Sequence, residues 1–262
     1  MKTINEFKIS KESNKPISVV TCYDYWSALI INETEIDAVL VGDSAAMVMH
    51  GFETTVNAEV EMMSYHIAAV KRGLTEKLLI ADMPFLAHRK GDQFAMEAVD
   101  KFIKLGANAV KIEGAGSNVR TIQHIVDSGV PVMGHIGLTP QSVNSIGGYV
   151  LQGKNDKTAH QLIQDAKMLE DAGCFSIVLE MIPARLAKEI TESVHIPTIG
   201  IGAGSYTSGQ VLVLHDLLGL SKSFNPKFLR KYLNGYELIK DALNRYDNEV
   251  KLKTFPSEKE SY

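Results

Sequence analysis

Cysteine is nearly absent: Cys22 and Cys174 are the only two in 262 residues. Both sit inside apolar runs with no CxxC or zinc-type spacing, so a disulfide framework and a thiolate metal site are excluded and buried reduced thiols are expected. Long hydrophobic runs are missing too, and none approaches the roughly 18 to 20 residues that span a bilayer. Positive charge is not in excess. Against 27 Lys and Arg stand 31 Asp and Glu, a net charge of −4, so no overall field gathers nucleic acid or anionic lipid. The densest charge run, Lys251 to Glu260, mixes both signs and reads as a solvated tail. The stretch from Met1 to Lys15 alternates charged and apolar residues. It lacks the apolar core of a secretion signal, and its Glu6 and Glu12 are unlike acid-poor transit peptides. These absences point to a cytoplasmic enzyme with no nucleic-acid or membrane partner.

What is present is a series of short apolar runs: Ile17–Cys22, Ala38–Val41, Leu78–Ala81, Ala109–Ile112, Val132–Gly134, Ser176–Leu179, Thr198–Ile201 and Val211–Leu214. Most are rich in β-branched residues, as strands buried on both faces require. Helical stripes lie between them: Phe94, Ala98, Phe102 and Leu105; Leu162, Ala166, Leu169 and Gly173; Leu186, Ile190 and Val194. Phe228, Tyr232, Ile239, Leu243, Tyr246 and Val250 suggest a long last helix ending before Pro256. Eight strand candidates separated mostly by helices, with no Pro/Gly/Ser-rich linker, predict one (β/α)8 barrel over residues 1–262, a size usual for that fold. The interval Gly202–Gln210 is too short for a crossover helix. The alternative puts Val211–Leu214 in a short helix, with the eighth strand slightly later.

A barrel gathers its chemistry where its strands end. After the successive runs come Asp24, Asp43, Asp82, Glu113, His135 and Glu180; the seventh runs into Gly200-Ile201-Gly202-Ala203-Gly204 and the eighth into His215-Asp216. Carboxylates converging on one mouth repel each other unless a cation or protons compensate. Oxygen donors at this density suit Mg²⁺ or Mn²⁺ better than zinc, and magnesium uses only one or two carboxylates besides water and substrate. Alternation along a strand groups Val39, Val41 and Asp43 on the second strand, Lys111 and Glu113 on the fourth, and Ser176, Val178 and Glu180 on the sixth. An inward lysine beside an acid is costly in a plain core; it makes sense if Lys111 receives an anion while Glu113 helps hold a metal. Asp24 and Asp216 read more readily as caps or turn residues. His135 fits a hydrogen-bonded core histidine as well as a site residue, and the glycine run is weak evidence for phosphate binding.

Several stretches resemble the ketopantoate hydroxymethyltransferase family: Leu40-Val41-Gly42-Asp43-Ser44, Tyr65-His66 with Ala69-Val70-Lys71-Arg72-Gly73, Ala81-Asp82-Met83-Pro84-Phe85 and Gly106-Ala107-Asn108-Ala109-Val110-Lys111-Ile112-Glu113-Gly114. The resemblance continues through Gly134-His135-Ile136-Gly137-Leu138-Thr139-Pro140-Gln141-Ser142, Gly147-Gly148-Tyr149, Leu179-Glu180 and the glycine run, in family order to His215-Asp216. Ala45-Ala46 and Phe52 depart from the family's usual residues beside the Gly-Asp-Ser motif.

The resemblance implies a TIM barrel of the phosphoenolpyruvate mutase/isocitrate lyase type. It also implies transfer of a hydroxymethyl group from 5,10-methylenetetrahydrofolate to α-ketoisovalerate through a Mg²⁺-stabilised enolate, giving ketopantoate for pantothenate synthesis. In that scheme Asp43, Asp82 and Glu113 surround the Mg²⁺. Asp43, Ser44, Asp82, Lys111 and His135 line the keto acid site, Glu180 is the proton acceptor, and the protein is a homodecamer. A lyase or mutase on the same barrel would share fold and metal, but neither cysteine lies in a catalytic loop of the lyase kind.

Overall fold

A computed structural model describes residues 3–262. Of the N-terminal stretch discussed above, Met1 and Lys2 lie outside the described residues. Eight parallel strands close a barrel in sequence order: β1 (Ile17–Thr21), β2 (Ala38–Val41), β3 (Leu78–Asp82), β4 (Ala109–Glu113), β5 (Val132–Gly137), β6 (Ser176–Glu180), β7 (Thr198–Ile201) and β8 (Gly209–Leu212). The helices are α1 (Ile4–Glu12), α2 (Tyr25–Asn32), α3 (Ala45–Val48), α4 (Val60–Gly73), α5 (Asp92–Lys104), α6 (Val119–Asp127), α7 (Val143–Ile146), α8 (Asp156–Asp171), α9 (Ala184–Ser193), α10 (Leu214–Leu217) and α11 (Gly235–Lys251). One compact unit, holding the whole barrel, runs to Val213, and a second spans Leu214–Tyr262. No helix among the described residues is long and apolar enough to cross a membrane.

The expected helical stripes form α5, α8 and α9. Their starts follow local chemistry where it can be read: Asn155 caps α8 by accepting from the Thr158 amide at 2.9 Å. Asp24 caps α2 in the same way, accepting from the Ser27 amide at 2.9 Å, which is the bland role expected of it. Both cysteines are free and buried, and burial pushes the Cys174 thiol up to about 12.

Three expectations are corrected. The eighth strand begins at Gly209, two positions before the apolar run that suggested it, and Leu214 opens a short helix instead. The β7–β8 connection needs no helix: an extended segment climbs about 3.3 Å per residue, and residues 202–208 are long enough to return along a strand as short as β7. Gly209 permits the closure, since a Cβ there would lie 2.3 Å from the Ile17 carbonyl oxygen. The last helix starts at Gly235, not near Phe228. The Tyr232 and Gly235 amides are engaged by the Leu217 and Leu218 carbonyls at 2.8 and 2.9 Å, so that stretch folds back on α10 before helix can begin. On β2, Ala38 and Leu40 enter the barrel core, leaving Val39 and Val41 on the other face. Asp43 reaches the mouth because β2 ends at Val41 and the chain turns through Gly42.

The interior is apolar at its lower levels. Ile17, Val19, Leu40, Leu78, Ile80, Ala109, Met133, Val178, Ile199 and Val211 meet there. Phe7 of α1 plugs the lower end, fully buried and edge-on to Phe175 with ring centroids 5.7 Å apart. Lys11 of the same helix donates to the Thr191, Val194 and Ile196 carbonyls at 2.9, 2.6 and 2.8 Å. It satisfies carbonyls that the end of α9 leaves open. On β3 to β6, stepping up by two residues from this apolar set leads to the polar layer.

Candidate active site

The upper interior positions of β3 to β6 are Asp82, Lys111, Glu113, His135 and Glu180. Register makes them neighbours: Asp82 pairs with Lys111 and Glu113 pairs with His135. The inward alternation expected on β4 and β6 is observed, since Ala109 and Val178 lie in the core two residues below Lys111 and Glu180.

Lys111 is the centre of charge. Its Nζ donates to Asp82 Oδ1 at 2.7 Å and lies 3.4 Å from His135 Nδ1 and 4.0 Å from Glu113 Oε1. Burial alone would lower its pKa, but Asp82, Glu113 and Asp43 raise it, so it stays an ammonium. His135 Nδ1 lies 3.4 Å from Glu113 Oε1, and its Nε2 lies 3.2 Å from Glu180 Oε2 in an orientation oblique for a hydrogen bond. Burial and Lys111 push the imidazole down, yet Glu113 and Glu180 outweigh them and hold it at about 9. The glutamates differ in access: 18% of the Glu180 side chain is exposed against 3% for Glu113. Backbone geometry sets Glu180 in place. Gly137, at φ +96°, lets β5 come so close that a Cβ would sit 2.2 Å from the Glu180 carbonyl oxygen. That carbonyl accepts from the Leu138 amide at 2.8 Å. Met181, directly after Glu180, is held at φ +47°, a left-handed conformation costly for a side-chain-bearing residue.

Asp43 and Ser44 arrive from the β2 end. The Asp43 amide faces Asp82 Oδ2 at 3.3 Å, and Asp43 Oδ2 accepts from Gln141 Nε2 at 2.9 Å. Burial first, then the charges of Asp82 and Glu113, push the Asp43 carboxyl well up; Asp82 is also raised, by burial above all. Glu113 is held low, because hydrogen bonding and charge from His135, then Lys111 and the Gln141 amide, outweigh burial. Ser44 Oγ pairs with the Tyr23 hydroxyl at 2.8 Å.

Among the described residues, no group of three or more His, Cys, Asp and Glu side chains stands ready to hold a metal ion. The donor chemistry nevertheless fits a hard divalent cation. Asp43, Asp82, Glu113 and Glu180 carry four formal negative charges against two positive ones on Lys111 and His135. The excess is two (4 − 2), and two of the negative charges, on Asp82 and Glu113, add to burial in raising Asp43. Magnesium needs few direct protein oxygens, keeping water and substrate for the rest.

Four residues here have no role in the sequence reading. Gln141 follows Thr139-Pro140, which reads as turn chemistry, and its contacts bridge separate strands. Tyr23 reads as a strand end. Tyr149 stands in the sequence only as part of the Gly147-Gly148-Tyr149 stretch. Its hydroxyl donates to Met47 Sδ at 3.9 Å, and its phenol is pushed up by burial and then by the charges of Asp43, Glu180 and Glu113. His88 is buried and accepts from Arg89 Nε at 3.3 Å, with burial and then the Arg89 charge pushing it down to about 4. Lone His and Tyr residues in loops carry no periodic signal. His215 and Asp216 fall in α10, in the second unit.

Comparison with known proteins places the chain in a family. The family described as ketopantoate hydroxymethyltransferase matches residues 1–258. The 3-methyl-2-oxobutanoate hydroxymethyltransferase of Bdellovibrio bacteriovorus is 54% identical over 262 residues, covering 100% of both chains. That of Coxiella burnetii (strain Dugway 5J108-111) is 55% identical over 252 residues, covering 96% of this chain and 95% of its own. Among solved structures, 2,3-dimethylmalate lyase, a member of the PEP mutase/isocitrate lyase superfamily, superposes with a TM-score of 0.58 at 14% identity. The match covers 100% of this chain and 93% of that one and shows a shared barrel fold. The chain is an enzyme and belongs to the ketopantoate hydroxymethyltransferase family.

Proposed function

We propose that this enzyme transfers a hydroxymethyl group from 5,10-methylenetetrahydrofolate to α-ketoisovalerate, forming ketopantoate. The observation that carries the reading is the row of register-paired groups at the barrel mouth, with Glu180 the accessible acid at its edge and His135 beside it. Asp43, Asp82 and Glu113 would hold Mg²⁺. When bound, that ion supplies Lewis-acid stabilisation of the negative charge that develops on the substrate's keto oxygen. Lys111 and Ser44 orient the carboxylate end of the keto acid. Glu180 takes the C3 proton, and His135 holds its carboxylate in position. Water adds to the folate-derived methylene carbon as its bond to one folate nitrogen breaks. The C3 electron pair forms the new C–C bond to that carbon as its bond to the other nitrogen breaks. The product hydroxyl comes from the water, and tetrahydrofolate leaves with both nitrogens protonated, one proton from water and one from C3 through Glu180. The pantothenate pathway, a cytoplasmic location and a homodecameric assembly accompany this reading through the family resemblance.

Incubation with Mg²⁺, α-ketoisovalerate and methylenetetrahydrofolate, followed by mass spectrometry, is expected to give ketopantoate that disappears with EDTA; absence of product would overturn the assignment. Glu180→Gln tests the base. Exchange of the C3 proton in D₂O is expected to stop while Mg²⁺-dependent keto acid binding persists, and exchange at the wild-type rate would place the base elsewhere.

A further inference from the structure

Gln141 touches more of the acid cluster than any neighbouring uncharged side chain described above. It lies in a 3-10 turn, Pro140–Ser142, just after β5, and is buried. Its Nε2 donates to Asp43 Oδ2 at 2.9 Å and to the Met83 carbonyl at 2.8 Å. Its backbone amide donates to Glu113 Oε2 at 3.1 Å. One residue therefore ties the β2 end, the residue after Asp82 and the β4 end together, and uses both amide hydrogens of its side chain.

Amide flips are settled by the partners, and here both are acceptors: a carboxylate and a backbone carbonyl. Nitrogen must therefore face them, and the donor end is pinned. The Met83 carbonyl fixes the side chain, and the fixed side chain fixes which oxygen of Asp43 turns toward Gln141. Asp43 Oδ1 is left unengaged by Gln141, whereas Glu113 Oε1 faces His135 Nδ1 at 3.4 Å. A neutral donor does this without lowering the cluster's negative charge, as another lysine would.

We propose that Gln141 is a positioning residue of the cation site, whose side-chain amide orients the Asp43 carboxylate so that its Oδ1 is presented to a divalent ion, while its backbone amide anchors Glu113 Oε2. This rests on the Mg²⁺-dependent reading above. Removal of such a supporting partner typically weakens metal binding about 10- to 100-fold. Gln141→Met keeps the length of the side chain and removes the donor without changing the charge; Gln141→Leu does the same with a shorter side chain and serves if the methionine variant fails to fold.

The test is isothermal titration of Mg²⁺ into the full-length wild-type and variant proteins, with Mn²⁺ binding followed by EPR as a second readout. The Mg²⁺ Kd is expected to rise about 10- to 100-fold, and the Mg²⁺ concentration for half-maximal rate to rise with it, while kcat at saturating Mg²⁺ changes little. A lower Tm in EDTA with an unchanged Mg²⁺ Kd would show a purely structural role and overturn the proposal. Wild-type protein that binds no divalent cation would instead overturn the metal-dependent reading itself, so the two failures are distinct.

Discussion

Replacing Lys111 with methionine removes the ammonium that neutralises Asp82 and stands between it and Glu113, while keeping most of the side-chain length. Both partners are buried, at 5% and 2% side-chain exposure, and their contact is 2.7 Å. Breaking a buried ion pair from one side leaves the other charge stranded and costs about 3–5 kcal/mol. For a chain of this size that lowers Tm by about 10 °C. The sign with pH follows from the stranded acids. Asp82 already lies above its ordinary value of 3.8, because burial outweighs Lys111. Without the ammonium it rises further. A carboxyl with a folded pKa above its unfolded one takes up its proton more readily in the folded state, so the variant loses stability as pH rises through that interval. Thermal melts of both proteins in EDTA should show a wide gap at pH 8 that narrows towards pH 5. A gap under about 2 °C, or one of constant width, would refute the view that Lys111 is the cluster's main internal countercharge.

Lys11→Met should lower stability by about 2 kcal/mol, because one ammonium serves three carbonyls at the end of α9. Chemical denaturation checks this, and kcat/KM should be unchanged. His88 falls from 6.5 to about 4 in the fold, so between those values the unfolded chain binds a proton that the folded one refuses. Stability should therefore decline as pH drops through that window, by up to about 3 kcal/mol at its lower end. His88→Gln should flatten this part of the denaturation profile, and an unchanged slope would remove His88 as its source.

The barrel and the row of site acids were legible because both are written in local pattern. Short β-branched runs at crossover spacing have few solutions other than a closed parallel sheet, and the alternation of side chains carries an inward Val178 two residues on to an inward Glu180. Family motifs added the meaning of Asp43, Asp82, Lys111 and Glu113. Pattern failed where the chain leaves periodic structure. β8 is short, opens on a glycine and has no helix before it, so its start lay hidden. Phe228 and Tyr232 continue a helical stripe on paper, although the Tyr232 amide is spent on an α10 carbonyl. The same holds at the site. That Lys111 meets Asp82, that His135 stands between two glutamates, and that Gln141 pins Asp43 to the end of β3 are all decided by contacts between strands distant in sequence. Which acids share a proton, a lysine or a cation depends on separations of a few ångströms in a buried cluster, and only closure of the barrel sets those.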